Sequence, residues 1–196
     1  MTIVLATKNR KKVEEMKRIF SGYDVRFLTL DAFPGLPEIE EDGKTFRANA
    51  VKKAVTVARE TGFPAIADDS GLVVEALGGD PGVYSARYAG EGADDRKNVD
   101  KLLRQLRNVD DEKRGAKFVC SIAFALPDGQ YKTFSGQVRG SIVRRRIGSN
   151  GFGYDPVFYP AGHKRTFAQM RDAEKDSLSH RGRAMKKFYE YLKDLL

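Results

Sequence analysis

The stretch PAIADDSGLVVEALGGDPGVYSARYAG, residues 64–90, runs from an apolar segment, Ala65-Ile66-Ala67, straight into two adjacent carboxylates, Asp68 and Asp69. Ser70-Gly71 follows, and then a second apolar segment, Leu72-Val73-Val74. Short apolar runs bounded by Gly and Pro read as buried strands. The pattern therefore predicts two strands, PAIAD and GLVVEAL, with a carboxylate turn between them and a loop over GGDPGVYSARYAG. Two like charges in that place have two explanations. Either Ser70-Gly71 completes a solvated Asx-type turn, or a cation neutralises a pair that would otherwise raise each other's pKa. Mg²⁺, a hard ion, prefers oxygen ligands of this kind, with one aspartate ligating while the other caps or orients. Strand ends in α/β folds commonly line the ligand crevice, so Asp68 and Asp69 become the first site candidates.

TIVLA (2–6) reads as a short strand that passes through Thr7-Lys8-Asn9 into a helix with Val13, Met16, Ile19 and Phe20 at helical spacing and Asn9 as N-cap. DVRFLTL is a second strand, and the acidic, Pro-containing segment 31–43 a loop. A helix is expected across TFRANAVKKAVTVARE, its apolar face on Phe46, Ala50, Ala54, Val57 and Ala58. Another, DDRKNVDKLLRQLRNV, is amphipathic through Val99, Leu102, Leu103 and Leu106, with Asp94 or Asp95 as its cap. KFVCSIAFAL and QYKTFSGQVRGSIV flank Pro127-Asp128-Gly129, a hairpin signal. After the glycine-punctuated IGSNGFGYDP comes a short strand, VFY. The chain closes on SHRGRAMKKFYEYLKDLL, a helix burying Met185, Phe188, Tyr189, Leu192 and Leu196, with Ser177 or Ser179 as its cap. Interleaved strands and helices without repeat or linker predict one α/β domain over residues 1–196 around a mixed sheet.

Bulk properties narrow the function. A chain of 196 residues with 41% apolar and 32% charged residues suits one globular domain. The single cysteine, Cys120, excludes an internal disulfide framework and reads as a small core residue in an intracellular protein. No run reaches the ~18–20 apolar residues of a membrane span, and TIVLA is too short for a signal-peptide core, so a cytoplasmic location is expected. The net charge of +8 is segregated: residues 139–187 hold 12 Lys/Arg against 4 Asp/Glu, whereas residues 31–45 hold five acids and one base. An acidic corner suits a metal and a basic wall suits a polyanion. A basic nucleic-acid-binding module would use the same wall, but it gives no reason for Asp68-Asp69 or for the acidic loop.

Three further segments carry chemistry. ATKNRKK places a helix N-terminus directly after the first strand, supported by Lys8, Arg10, Lys11 and Lys12, and helix N-termini bind phosphate. It is not a Walker A loop, which needs G-x-x-x-x-G-K-[ST]. GSNGFGYDP has the spacing G-x-x-G-x-G and is not a dinucleotide fingerprint; its Phe152 and Tyr154 would either stack a base or close the core. His180 and Arg181, in SLSHRGRA, project from the first turn of the last helix, either solvated or facing an acceptor-rich ligand.

Together LATKNRKKVEE, EEDGKTFRANAVKKA, ADDSGL, LGGDPGVYSARYAG, GFGYDPVF and EKDSLSHRGRA resemble, in order and nearly end to end, the inosine triphosphate pyrophosphatase family. One departure is Lys11, where many members carry Gly in the T-x-N-x-G-K element. The resemblance implies an α/β fold with an elongated mixed β-sheet flanked by helices, two lobes with a central nucleotide cleft, and a homodimer. It implies hydrolysis of ITP, dITP and XTP to the monophosphate and pyrophosphate, with neither nucleic acid nor membrane as partner. Thr7, Lys8, Asn9, Arg10, Lys11 and Lys12 would hold the triphosphate, Asn9 and Lys12 foremost, and Ser70 would touch phosphate. Asp69 would be the catalytic carboxylate and a Mg²⁺ ligand, with Glu41 or its neighbour Glu40 as the second. Phe152, Gly153, Tyr154, Asp155, Lys175, His180 and Arg181 would surround base and sugar. Another base specificity is the remaining alternative within the same chemistry.

Overall fold

The computed structural model describes residues 1–194. Six strands form one mixed sheet: β1 (Thr2–Leu5), β2 (Arg26–Thr29), β3 (Ala65–Val74), β4 (Gly115–Ala125), β5 (Tyr131–Ile142) and β6 (Phe158–Pro160), in the order β2-β1-β3-β4-β5-β6. β1 runs parallel to β2 and to β3, while β5 and β6 are antiparallel. The helices are α1 (Arg10–Ile19), α2 (Phe46–Thr61), α3 (Asp95–Gln105), α4 (Asp172–Leu178) and α5 (His180–Lys193). The expected α/β class and mixed sheet are thus observed.

The chain divides into two compact units. One comprises Met1–Asp69, Cys120–Gly136 and Arg181–Leu196; the other comprises Ser70–Val119 and Gln137–His180. In the first, α1 starts at Asn9, whose side chain accepts from the Lys12 amide, and α2 starts at Thr45, whose hydroxyl accepts from the Ala48 amide. Such caps stabilise a helix by about 1 kcal/mol each. Two cores result. Ile3, Leu5, Met16, Phe20, Ile66, Phe124, Phe188 and their neighbours pack together, and Val4, Ala50, Ala54, Val57, Ala65 and Ala67 form a second, small-residue cluster. The hairpin turn at 126–130 is closed by the Gly129 amide on the Leu126 carbonyl, with Gly129 at φ +92. Of the apolar positions expected on the last helix, Met185, Phe188 and Leu192 are fully buried and Tyr189 is half-buried. Leu196 lies outside the described residues.

The second unit has its own core, with Leu72, Val74, Val99, Leu102, Phe118, Val157, Phe158 and Phe167 at its centre. Asp94, not Asp95, caps α3, accepting from the Lys97 amide at 2.7 Å. The segment read as loop after β3 contains a short 3₁₀ helix, Gly82–Arg87. Ser85 anchors it, its Oγ accepting from the Leu72 amide (2.9 Å) and donating to the Gly82 carbonyl (2.6 Å). α4 was not expected, because DAEKDSL offers only Ala173 and Leu178 as apolar residues and so no helical stripe. Ser177 belongs to α4, donating to the Glu174 carbonyl, so it does not cap α5; Ser179 is the extended residue just before it. Among the described residues no helix is long and apolar enough to cross a membrane.

Ala65–Val74 is one uninterrupted strand, with eight of its ten residues buried, and there is no turn at Asp68-Asp69. Neighbouring side chains of a strand point to opposite faces. Ile66 accordingly joins the core beneath α1 and α5, while Ala65 and Ala67 join the cluster beneath α2. Asp68 follows Ile66 and Asp69 follows Ala67. The side chains of two charges adjacent in sequence therefore point to opposite faces, and their side-chain hydrogen bonds go to different partners, Arg181 for Asp68 and Asn49 for Asp69.

Candidate active site

On the α1/α5 face, Asp68 is fully buried. Its Oδ2 accepts from Arg181 Nη2 at 2.8 Å and Nε at 3.2 Å, and its Oδ1 lies 3.2 Å from Lys12 Nζ. Arg181, itself buried, also pairs with buried Glu15. Burial alone would raise the Asp68 pKa, but the cations of Lys12, Arg181 and Lys53 outweigh it and hold the carboxyl far below the usual range. Burial likewise opposes the Arg181 charge, and Asp68 and Glu15 reverse that, so it stays protonated. Cys120 Sγ sits 3.9 Å from Asp68 Oδ2. Burial, with Asp68 beside it, pushes this thiol up, which leaves it an inert core residue as expected.

On the α2 face, Asp69 accepts from Asn49 Nδ2 at 2.9 Å, and Asn49 Oδ1 accepts from the Gly43 amide at 2.7 Å. Lys53, one turn further along α2, pairs with Glu41 and donates to the Asp68 main-chain carbonyl at 2.8 Å. Burial raises the Asp69 pKa; Lys53, Lys12 and Asn49 pull it down and Glu41 pushes it up, with a net upward shift. Lys53 moves up as well, because Asp68, Glu41 and Asp69 overcome its desolvation. One aspartate is thus a permanent anion. The other is a carboxyl that burial shifts upward from the ordinary carboxylate range, so the two neighbours move in opposite directions.

Of the two candidate glutamates, Glu41 reaches this cluster, whereas Glu40 is exposed. Asp69 and Glu41 offer hard oxygen donors, and their like charges are felt by one another. Among the described residues no group of three or more His, Cys, Asp or Glu is arranged to hold a metal. That donor set fits an ion such as Mg²⁺, which takes one or two carboxylates and fills its remaining positions with water or phosphate oxygens. It does not fit a closed zinc cage.

The Thr7–Lys12 segment enters α1 with the Asn9 amide donating to Thr7 Oγ1 at 3.2 Å. No acid occupies the first turn of α1, so the positive end of its dipole is not offset there. Lys8, Arg10 and Lys11 are exposed, with Lys8 3.7 Å from Glu38, while Lys12 turns inward to Asp68.

In the second unit the GFGYDP segment is a tight polar knot. Asp155 Oδ2 accepts from the Phe152 amide (2.8 Å) and from Lys175 Nζ (2.6 Å), and both side chains of this ion pair are buried. The Lys175 ammonium also lies 4.9 Å from the centre of the Phe152 ring. Asp95 accepts from the Gly153 amide at 2.9 Å. Gly151 has φ +72, and a Cβ there would run into Asp155 Oδ2, so glycine is required. Tyr154 is not a stacking residue. It is 4% exposed and its hydroxyl donates to the Ser85 carbonyl at 2.8 Å, so this aromatic closes the core, and only Phe152 of the pair is partly exposed. His180 does not project into solvent either; it is buried and stacks on Phe118, with centroids 4.6 Å apart and planes within 7°. Arg181, at the start of α5, has its guanidinium on Asp68 and Glu15.

Sequence reasoning missed Asn49, Lys53 and Glu15. The signal was present for the first two. They stand four residues apart on α2, beside Ala50 and Ala54, so polar side chains occupy the inward stripe of a buried helix.

A mixed α/β sheet whose third strand presents oppositely tuned aspartates to its two faces defines the class: an α/β domain built around a buried carboxylate site. The chain belongs to the Ham1 family, whose model matches residues 3–191. This bears out the resemblance read from the motifs. Relatives include the dITP/XTP pyrophosphatase of Streptomyces avermitilis, 45% identical over 196 residues and covering 99% of this chain and 98% of that one. That of Desulforamulus reducens is 49% identical over 195 residues, covering 100% and 97%. Among solved structures, a HAM1 protein from Coxiella burnetii superposes with a TM-score of 0.90 at 41% identity, covering 99% of each chain.

Proposed function

We propose that this chain hydrolyses non-standard purine nucleoside triphosphates, ITP, dITP and XTP, to the monophosphate and pyrophosphate. The observation that carries this reading is Asp69, a buried carboxyl that accepts from Asn49 at 2.9 Å and feels the charges of Lys53, Lys12 and Glu41. A base of that kind, ringed by phosphate-binding charge, suits attack of water on a phosphorus atom. Names of full-length relatives sharing 45–49% identity support the same substrate class.

In this mechanism Thr7 to Lys12 hold the triphosphate: the main-chain amides at the start of α1 face the anion, with Lys8, Arg10 and Lys11 at its surface. Asp69 orients a water and takes its proton as the water oxygen attacks the α-phosphorus. Lys12 stabilises the departing pyrophosphate, and Ser70, next to Asp69 in the strand, touches phosphate. Mg²⁺ held by Asp69 and Glu41 would neutralise charge on the phosphate oxygens. Asp68 takes no proton. It fixes Lys12 and Arg181, and Arg181 in turn serves as the clamp on Asp68 and Glu15.

Base choice falls to Phe152, Gly153, Asp155, Lys175 and His180. A 6-oxo purine presents an acceptor to the donors of Lys175 and His180, whereas the 6-amino group of adenine would leave such donors unpaired, a mismatch worth orders of magnitude in kcat/KM. The test is a panel of ITP, XTP, dITP, GTP, ATP and dUTP with Mg²⁺, scoring pyrophosphate separately from orthophosphate. Pyrophosphate from the first three, at rates well above those for ATP and dUTP, is expected. Orthophosphate as first product, or ATP turning over as fast as ITP, would refute the proposal, and fastest turnover of dUTP would move the specificity to pyrimidines.

A further inference from the structure

Asn49 is buried, 1% exposed, and both ends of its amide are used. The Gly43 N–H donates to its Oδ1 at 2.7 Å, and its Nδ2 donates to Asp69 Oδ2 at 2.9 Å. The first bond decides the second, because an N–H donor at one end of a carboxamide requires the oxygen there and so turns the amino group toward the aspartate. Gly43 lies two residues after Glu41 in the acidic loop, and it is tightly placed: a Cβ at position 43 would come within 2.5 Å of Asn49 Oδ1 and 3.0 Å of Ala48 Cβ. α2, capped by Thr45, supplies a rigid base for the amide.

We infer that Asn49 is a positioning residue for the proposed reaction, one that fixes the Asp69 carboxylate and locks the Glu41 loop to it through the Gly43 amide. The inference rests on the functional reading above and assigns to Asn49 no contact with substrate. Partners of this kind typically change activity roughly 10–100-fold when removed, because a carboxylate free to rotate spends little time in the productive geometry.

Two substitutions separate positioning from mere loop support. Asn49→Ala removes both bonds. Asn49→Asp keeps an acceptor for the Gly43 amide but loses the donor to Asp69. Positioning predicts that kcat for dITP falls roughly 10–100-fold in Asn49→Ala, that KM changes little, and that Asn49→Asp is impaired at least as much. A purely structural role predicts that Asn49→Asp restores turnover. Because the residue acts through Asp69, Asn49→Ala should cause no further loss when added to Asp69→Asn, and circular dichroism confirms that each variant is folded. Wild-type turnover in an Asn49→Asp variant, or additive losses in the double variant, would overturn the inference while leaving the functional reading intact. Failure of the wild-type protein to release pyrophosphate from any 6-oxo purine triphosphate would sink both.

Discussion

Asp68 and Asp69 are the same residue type, one peptide apart on one strand, yet their surroundings treat them oppositely. On the α1/α5 face Asp68 is paired with Arg181 and Lys12 and held ionised. On the α2 face Asp69 is met by a neutral amide, and its proton affinity is raised by burial. The strand alternation that separates them also lets one fold support both states. A carboxylate that anchors a site must not titrate, whereas the base proposed at Asp69 must.

Substituting each aspartate in turn is the most direct way to break this contrast. Asp69→Asn should reduce turnover by on the order of 10²–10⁴-fold, the usual worth of a general base. Its thermal midpoint should stay at or above wild type, because the substitution removes a charge that burial disfavours. Pyrophosphate release and thermal unfolding, measured together, check both halves, and wild-type turnover would show that Asp69 is not the base.

Asp68→Asn should do its damage to the fold. It leaves buried Arg181 without its principal carboxylate, a loss of about 3–5 kcal/mol, or roughly 6–20 °C in Tm for a chain of this size. The pH dependence separates the two residues further. The Asp68 pKa is depressed in the folded state, so its contribution is fully present above the unfolded value of about 3.9 and is lost as pH falls through the lower folded value. Asp69 has the opposite sign: its raised pKa means that the folded state gains stability as pH falls through that raised value toward the unfolded value of about 3.9. Unfolding followed from pH 7 downward should therefore show the rise vanish in Asp69→Asn and the acid loss shrink in Asp68→Asn.

How much of this the sequence disclosed follows from the range of the interactions. Caps and turns are local, so Asn9 at the start of α1 and Pro127-Asp128-Gly129 between β4 and β5 were legible. The joining of two short strands into β3 was not, because what licenses charged residues inside a buried strand is Arg181, more than a hundred positions away. The same distance hid the commitment of Arg181 to Asp68 and Glu15, and read in isolation His180-Arg181 looked like a surface pair. Asn49 and Lys53 were concealed differently. They sit in a helix whose apolar stripe was recognised, but polar residues within a stripe are easily taken for its edge. Glu41 differs from Glu40 through its ion pair with Lys53, a contact that local spacing does not reveal.

The second unit offers a different arrangement, a buried ion pair in which Lys175 Nζ donates to Asp155 Oδ2 at 2.6 Å. Gly151→Ala would push a Cβ into Asp155 and strain a backbone at φ +72, disturbing the Phe152 loop and Lys175 together. If that cluster reads the base, the ratio of kcat/KM for ITP over ATP should fall by roughly tenfold, while activity on the preferred substrate is less affected. An unchanged ratio would detach the cluster from base selection.

Tyr154→Phe is the mildest of these tests and the one that most cleanly separates core from site within a single motif. Tyr154 lies in the same GFGYDP segment as Phe152, but its ring packs with Val157 and Phe158 and its hydroxyl is spent on the Ser85 carbonyl. Removing that hydroxyl should cost about 1 kcal/mol of stability, the net worth of one hydrogen bond, and should leave KM and the ITP-to-ATP ratio unchanged. Phe152→Ala, by contrast, removes a partly exposed ring beside Lys175 and should raise KM for the nucleotide with little change in Tm. Were Tyr154→Phe to raise KM instead, the hydroxyl would have to leave Ser85 when substrate binds, and the 3₁₀ helix that Ser85 anchors would have to move with it.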